Sequence, residues 1–591
     1  MVFLQLRLWR RDRCLQNDGA GGDHADDRCR RCDDQSQAQT IPLTSVTMRW
    51  SKAYRHPGRL LLRESGWQTV RPQIPIFLWF FLGCTALSHA QYTNVRVSNP
   101  ASTSPEEVTI AVNPANPRNL IAGANLRFYY SSMDSGQSWI QGQLPAGTWG
   151  DPSVIFDLLG KAYYAHLSNP TGGYFIERLI VHRSSDGGLT WSDSVGVGYN
   201  PPKQQDKEWM ACDITNSPYR NSLYMSWTEF DKYGSRSTLD SSRILFSRST
   251  NGGTTWSSPL RISDEGGNCI DSDSTVEGAV PAVGPNGEVY IAWSGPLGIM
   301  FDKSTNGGIT FGPDRFVTAQ PGGWDFGIGG ISRANGLPIT ACDVSNSPFR
   351  GTVYICWSDQ RNGTGNTDVF LIKSKDGGRT WGSIKRVNND ASSAHQFFPW
   401  IAIDQSTGYL YCVFYDRRNT SGNATDVYVA RSSDGGESFS NFKVSMASFT
   451  PQPSIFFGDY INIASHERRI YPIWMRMDGT NLSVWTAPFT DPEIVSVATD
   501  AKVATGFSLS QNYPNPFNAS TRIRFTLPTR SGVRLTIHDC LGREVSRPAD
   551  GDLEAGTHTA IFYADDFPSG VYYYRMSANS FQDTKRVILI K

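Results

Sequence analysis

Between residues 92 and 490 apolar and polar residues alternate with a period of two, in short runs broken by Gly, Asn, Asp and Pro. Alternation of this kind puts successive side chains on opposite faces and predicts half-buried strands. Seven times, an alternating run, a polar turn and a second alternating run follow one another, beginning near Thr109, Val154, Ile214, Pro281, Val344, Ile401 and Ile461. Each is a hairpin signature. Two of them, Ile214 to Trp227 (ITNSPYRNSLYMSW) and Val344 to Trp357 (VSNSPFRGTVYICW), nearly match across 130 residues, and both follow Ala-Cys-Asp. Internal recurrence at a period of about 40–70 residues predicts one sheet unit copied along the chain, as in a propeller or solenoid.

A second phrase follows six of the hairpins: Ser, any residue, Asp or Asn, any, Gly, any, Thr or Ser, aromatic. It runs through Ser132–Trp139, Ser184–Trp191, Ser249–Trp256, Ser304–Phe311, Ser374–Trp381 and Ser432–Phe439, with Asp134, Asp186, Asn251, Asn306, Asp376 and Asp434 in third place. An Asp or Asn side chain folds a turn by bonding backbone further on, Gly takes the positive φ such a turn needs, and the aromatic anchors it between sheets. The octet is thus a self-bonded corner with a scaffolding role. The seventh hairpin is followed by Leu482–Phe489 and no octet. Val95–Asn99 (VRVSN) resembles Lys385–Asn389 (KRVNN) and Leu260–Asp264 (LRISD), which follow octets as fourth strands. An N-terminal strand completing the last sheet would remove exposed sheet edges.

The six octets resemble the Asp-box, or bacterial neuraminidase repeat, of sialidase-type β-propellers. That resemblance implies an all-β propeller over residues 92–490, with the boxes on the face away from any active site. The hairpin count predicts seven blades; six, the number in sialidases, is the alternative. Residues 491–506 read as a polar linker. From Phe507, alternating strands with Pro and Gly turns predict a small Ig-like β-sandwich over 507–591. Its phrases Tyr513-Pro514-Asn515-Pro516-Phe517-Asn518, Leu541-Gly542-Arg543-Glu544-Val545 and Ser569-Gly570-Val571-Tyr572 resemble the type A sorting domain of type IX secretion substrates. The resemblance implies the secretion machinery as a partner and a secreted or cell-surface location.

Composition narrows the function classes. Lys plus Arg and Asp plus Glu are 55 each among 591 residues, so no global charge argues for nucleic acid or an anionic membrane. Residues 1–47 are crowded with Arg, Asp and Gln and read as an extension that is spurious or disordered. Cys29 and Cys32 there form a CxxC with no second pair, which argues against zinc. Over 48–90, basic residues, the apolar run Ile74–Leu87 and the ending Ser88-His89-Ala90 read as a secretory signal, too short in its apolar core for a membrane span. Removal of that signal leaves Cys212, Cys269, Cys342, Cys356, Cys412 and Cys540, too widely spaced for a disulfide framework, and no transmembrane span. His166, His182, His395 and His466 lack ligand spacing, and neither a phosphate loop nor a GxSxG elbow is present. No cofactor is expected, although clustered acids leave calcium open; Asp271-Ser272-Asp273 is the nearest approach to a loop.

If the octets mark one rim, candidate chemistry lies on the other. Segments entering the first strands carry Glu106, Glu107, Asp151, Asp206, Glu208, Glu277 and Asp459. Loops after the second strands carry Glu229 and Asp231, Asp359 with Arg361, Asp416 with Arg417 and Arg418, and Arg476 with Asp478. Carboxylates can supply acid and base or nucleophile for glycoside cleavage, and Arg forks can bind a sugar acid. By the resemblance to sialidases, Arg361, Arg417 and Arg476 take the place of the arginine triad, Tyr460 the nucleophile, Glu277 its helper and Asp151 the acid/base, with Asp359, Asp416 and Asp459 beside the substrate. The Arg-Ile-Pro phrase of that family is absent near the mature N-terminus, and Asp359–Arg361 and Asp416–Arg417 also read as ion pairs joining loops. Two functions follow as expectations: a sialidase-like protein acting on extracellular glycans or glycoproteins, or a noncatalytic binding or adhesion propeller.

Overall fold

The computed structural model describes residues 92–591 apart from 103, 146, 170–175, 492–493, 497–505, 519, 554 and 565–566. The extension over 1–47 and the signal over 48–90 lie outside the described residues, as does most of the 491–506 linker. Among the described residues every regular element is a strand.

Seven antiparallel sheets, I to VII, lie between residues 95 and 490; I to VI are four-stranded, and VII carries a fifth short strand, Phe489–Thr490, paired with its second. Their first strands are Thr109–Val112, Thr148–Phe156, Gln204–Cys212, Glu277–Val283, Ile339–Cys342, Gln396–Asp404 and Asn462–His466. In sheets I to VI the four strands follow in chain order. Consecutive first strands pack against each other, and that of sheet VII packs against that of sheet I. Side-chain hydroxyls stitch neighbours together: Ser153 Oγ accepts from Met210 N at 3.0 Å, Ser226 Oγ donates to Ala279 O at 2.9 Å, and Thr340 Oγ1 accepts from Ala292 N at 3.0 Å. Trp227, Trp293, Trp357 and Trp474, on the second strands of sheets III, IV, V and VII, are fully buried between sheets. Each removes roughly 150–250 Å² from water.

The octets join third to fourth strands and close on themselves. In Ser184–Trp191, Asp186 Oδ1 accepts from the Thr190 amide at 3.0 Å and Oδ2 from the Thr190 hydroxyl at 2.6 Å, while Ser184 Oγ accepts from Gly188 N at 2.9 Å. In Ser374–Trp381 the Thr380 hydroxyl and amide hold the Asp376 carboxyl below its ordinary range. The same corners clasp the preceding sheet through the carbonyl of their fourth residue. Gly187 O accepts from Ser131 Oγ at 2.8 Å, Gly252 O from Lys161 Nζ at 3.3 Å, Gly307 O from Arg248 at 2.9 Å and Gly377 O from Lys303 Nζ at 2.6 Å. Close packing fixes the fifth residue as Gly: a Cβ on Gly378, at φ +78°, would lie 2.1 Å from Phe301 Cε1.

Sheet VII is completed from the far end of the chain. Val95–Arg96 pairs with Trp485–Thr486, Val97 N donates to Val484 O at 2.8 Å, and Asn94 Nδ2 donates to Val444 O at 2.7 Å. The residues resembling other fourth strands therefore occupy a fourth place, 386 residues away in sequence at the Ser98–Val484 bond. Residues 508–589 form two further four-stranded sheets around their own core of Ile523, Phe525, Leu535, Phe562 and Tyr574. Ile494–Ser496, inside the stretch expected to be linker, pairs with His558–Ala560.

A chain beginning at Pro100 loses buried Val97 and the edge bonds of sheet VII. Its unfolding free energy in urea is expected to fall by about 3 kcal/mol; an unchanged transition would contradict the closing role of this strand.

Candidate functional site

The octets stand at one edge of the sheets, since Ser249 pairs with Leu223 and Leu223 with Cys212. The candidate site forms at the other edge, where the first strands begin. There the ladders of sheets II, III, IV and VI are broken by bulges between Gly150 and Ser153, Asp206 and Trp209, Glu277 and Val280, and Phe397 and Trp400. Each bulge holds a residue with positive φ: Asp151 at 53°, Lys207 at 51°, Gly278 at 78° and Phe398 at 50°. Glu107, at 54°, does the same ahead of sheet I. A bulge re-aims the side chain it carries, and non-Gly residues in this region cost about 1–3 kcal/mol each unless their surroundings hold them.

The surroundings here are ionic. Lys207 Nζ stands 2.6 Å from Asp459 Oδ2, 3.2 Å from Asp151 Oδ2 and 3.6 Å from Glu107 Oε1, so one ammonium draws together sheets III, VII, II and I. Burial opposes its charge, but Asp151, Asp459 and Glu107 hold its pKa well above the usual value. Asn125 donates to Glu107 Oε2 and accepts from Asp151 N at 2.8 Å, bracing both acids. Tyr460 stands against the same ammonium, its ring centroid 5.7 Å from Lys207 Nζ.

A Gly-rich strap, residues 319–338 between sheets IV and V, supplies a second cation. Asp325–Phe326 and Ala334–Asn335 form its small ladder. Arg333 Nε donates to Asp459 Oδ1 at 3.0 Å, a second nitrogen contacts Asp459 Oδ2, and a third donates to Asp271 Oδ2 at 2.8 Å. Burial favours the neutral form of Asp459, yet Arg333 and Lys207 together hold its carboxyl well below the ordinary range. Asn335 Nδ2 donates to Asp459 O at 3.0 Å, Trp324 Nε1 to Thr275 O at 3.3 Å, and Arg417 to Gly329 O at 2.7 Å. The strap thus ties sheets VI and VII to the loop after sheet III.

Trp209 of sheet III and Trp400 of sheet VI meet with ring centroids 4.2 Å apart, and Tyr460 stands edge-on to Trp209 at 5.5 Å. These two tryptophans line both a cavity of about 50 Å³ on the ionic side and one of about 270 Å³ towards the octets. The smaller cavity is also lined by Asp151, Glu208, Asp459 and Tyr460.

Of the residues expected from sequence, Asp151, Tyr460 and Asp459 come together around Lys207. Tyr460 donates its hydroxyl to Pro152 O at 3.2 Å, and burial, then the Asp151 and Glu107 charges, push its pKa well up. Glu277 is buried beside Asp271 and Asp206, with Oε2 lacking a hydrogen-bond partner. The arginines have separate partners. Arg361 forks onto Asp359 and stacks on Phe370 at 4.5 Å; Arg476 forks onto Asp478. Arg417 stacks on Phe397 and reaches Gly329 O and Thr425, and burial alone brings its pKa down to about 10; Asp416 pairs with Arg418. Asp271 meets Arg333, and Asp273 accepts from Asp325 N at 2.8 Å; among the described residues no three His, Cys, Asp or Glu stand in metal-holding geometry. Lys207 and Arg333 were not singled out from sequence. The available signal was Lys207 between two acids, Asp206 and Glu208, in a first-strand entry.

The C-terminal 81 residues carry a sequence match as well as a fold. Residues 511–591 match the family of secretion system C-terminal sorting domains. This domain marks the chain for export by the type IX secretion system to the cell surface or extracellular space. Among curated proteins, none matches the chain by sequence. Among solved structures, the Hadza microbial sialidase Hz136 is similar at 12% identity and TM-score 0.36, over 64% of this chain and 75% of that one. The NanB sialidase from Streptococcus pneumoniae is similar at 8% identity and TM-score 0.39, over 63% and 83%. A PL25 ulvan lyase is similar at 12% identity and TM-score 0.38, over 66% and 95%. Among the described residues no helix is long and apolar enough to cross a membrane.

Two measurements test the ionic centre. Lys207→Met leaves buried carboxylates without their cation and is expected to cost about 3–5 kcal/mol in urea unfolding; a loss below about 1 kcal/mol would contradict the network. Burial, then the Asp151 charge, push the Asp206 carboxyl up to about 8. The folded state therefore keeps a proton that the unfolded chain releases near pH 4, and the stability this proton supplies is lost as pH rises through about 8. The stability advantage of wild type over Asp206→Asn is expected to shrink from about pH 5 to about pH 8, by at most about 1.4 kcal/mol per pH unit. Parallel profiles would rule this out.

Proposed function

We propose that the chain is an exported, closed seven-bladed propeller that binds extracellular glycan or glycoprotein without breaking a bond. The observation that carries this reading is the convergence of Glu107, Asp151 and Asp459 on Lys207, with Asp459 held again by Arg333. A glycosidase needs two carboxyl groups, or a nucleophile and an acid, facing each other across space for the sugar, about 5–9.5 Å apart. Here the acids face a built-in cation instead. The cavity they line, about 50 Å³, is far below the roughly 300–1,000 Å³ of sites that enclose a whole small ligand. The arginine forks engaged with Asp359 and Asp478 are not available as a free triad. Seven sheets of four or five strands, with the first strands packed in sequence, support the blade count, and the sorting domain supports an extracellular partner. Exposed faces and aromatic edges around the mouth would then bind the ligand's surface, not an extended reacting group.

The sialidase-like hydrolase keeps one observation in its favour: Tyr460 and Asp151 line the same cavity. The two readings separate in one assay. The purified secreted chain is expected to release no fluorophore above background from a panel of sialosides and neutral glycosides. Turnover that disappears in Tyr460→Phe and Asp151→Asn would establish the hydrolase instead.

A further inference from the structure

The residues around Lys207 hold more carboxyl groups than cationic ones, and burial pushes Glu107, Glu208 and Glu277 well above the ordinary carboxyl range. Glu107, Asp151, Asp206, Glu208, Glu277 and Asp459 act on one another through space, and the cations acting on them are Lys207 and Arg333. Asp459 and Asp151 are ion-paired; Glu208 is not. It is 1% exposed, and beyond its own backbone amide neither of its carboxylate oxygens has a hydrogen-bond partner. A buried carboxyl left so is uncommon, and a bound polar or charged group is one of the few things that explain it. Glu208 lines the 50 Å³ cavity, so the missing partner has a place to sit.

The other walls narrow the chemistry of that partner. Trp209, Trp400, Tyr460 and Phe398 line the same cavity. Aromatic faces beside a carboxylate favour a cation, and an ammonium or guanidinium gains from both. The fold already contains such an arrangement, for the Lys207 ammonium sits against the Tyr460 ring while paired to carboxylates. A volume of about 50 Å³ admits a single small group and excludes a sugar ring or an amino-acid side chain in full. Lys207 also lines the cavity, its charge taken up by Asp459 and Asp151, and Asn335 and Leu337 reach it from the end of the strap.

We propose that this cavity is a recognition site for a primary ammonium group, with Glu208 as its carboxylate partner and Trp209, Trp400 and Tyr460 as its aromatic walls. The proposal rests on the non-hydrolytic reading and names the chemical group that the axial site would recognise. The same ammonium can come from a free amine or from an unacetylated amino sugar, and the probes separate these sources.

The test is calorimetric titration of the full secreted chain with n-propylammonium, cadaverine and glucosamine, against n-propanol and N-acetylglucosamine as uncharged counterparts. The charged probes are expected to bind and their counterparts not to. Binding of glucosamine but neither alkylamine would assign the amino sugar as source; binding of the alkylamines alone would assign a free amine. Glu208→Gln is expected to weaken binding of the responding probe at least tenfold, with Glu208→Asp retaining part of it. No charged probe binding to folded wild type overturns the proposal, whether or not the variants fold. Equal binding of charged and uncharged members, or undiminished binding by a folded Glu208→Gln, overturns it too. Glycoside turnover would overturn the non-hydrolytic reading separately, because amine titration requires no bond cleavage.

Discussion

One ammonium group, Lys207 Nζ, is the point at which the upper ends of four sheets meet. Reaching it requires backbone that strands do not ordinarily adopt: Lys207, Asp151 and Glu107 all take positive φ to turn their side chains inward. The cost of those conformations, roughly 1–3 kcal/mol each, is offset only while the charges remain paired. The ion network and the bulges are therefore one device. Neither has a reason to persist without the other.

The opposite edge is held by a different kind of interaction. There the octets close first on themselves, and those of sheets II to VI then reach, through the carbonyl of their fourth residue, the sheet before. Such bonds are short-range and repeat with the sequence, so sheets II to VI are each joined to the one before in the same way. The upper edge does not repeat. It is built from one lysine, one strap arginine and acids from several sheets, and the Trp209–Trp400 contact joins sheets III and VI, which are not neighbours. Regular scaffolding on one side leaves the other free to be particular.

This difference also decides what was legible in the sequence. The octets could be read because Asp, Gly and Thr or Ser act within eight residues of one another. The fourth-strand place of Val95–Arg96 could be read because it repeats a phrase found at Lys385 and Leu260. Hairpins could be read from alternation, and the sorting domain from phrases that stay together in the chain. Lys207 could not, because its role depends on a bulge and on acids 56 to 252 residues away. Arg333 was hidden for a similar reason: a Gly-rich stretch between sheets shows no periodicity, and its landing place on Asp459 is 126 residues off. Asp359 makes its expected local ion pair with Arg361, whereas Asp416 pairs with Arg418 and not with the adjacent Arg417, which turns away to Gly329 O and Thr425.

The account turns on whether charge on Lys207 and charge on Asp459 depend on each other inside the folded chain. A double-mutant cycle with Lys207→Met and Asp459→Asn, followed by urea unfolding, measures that dependence directly. A coupling energy above about 1.5 kcal/mol is expected, because each single variant strands the other's charge in a buried site. Additive losses, with coupling below about 0.5 kcal/mol, would mean that the two groups do not meet inside the folded chain.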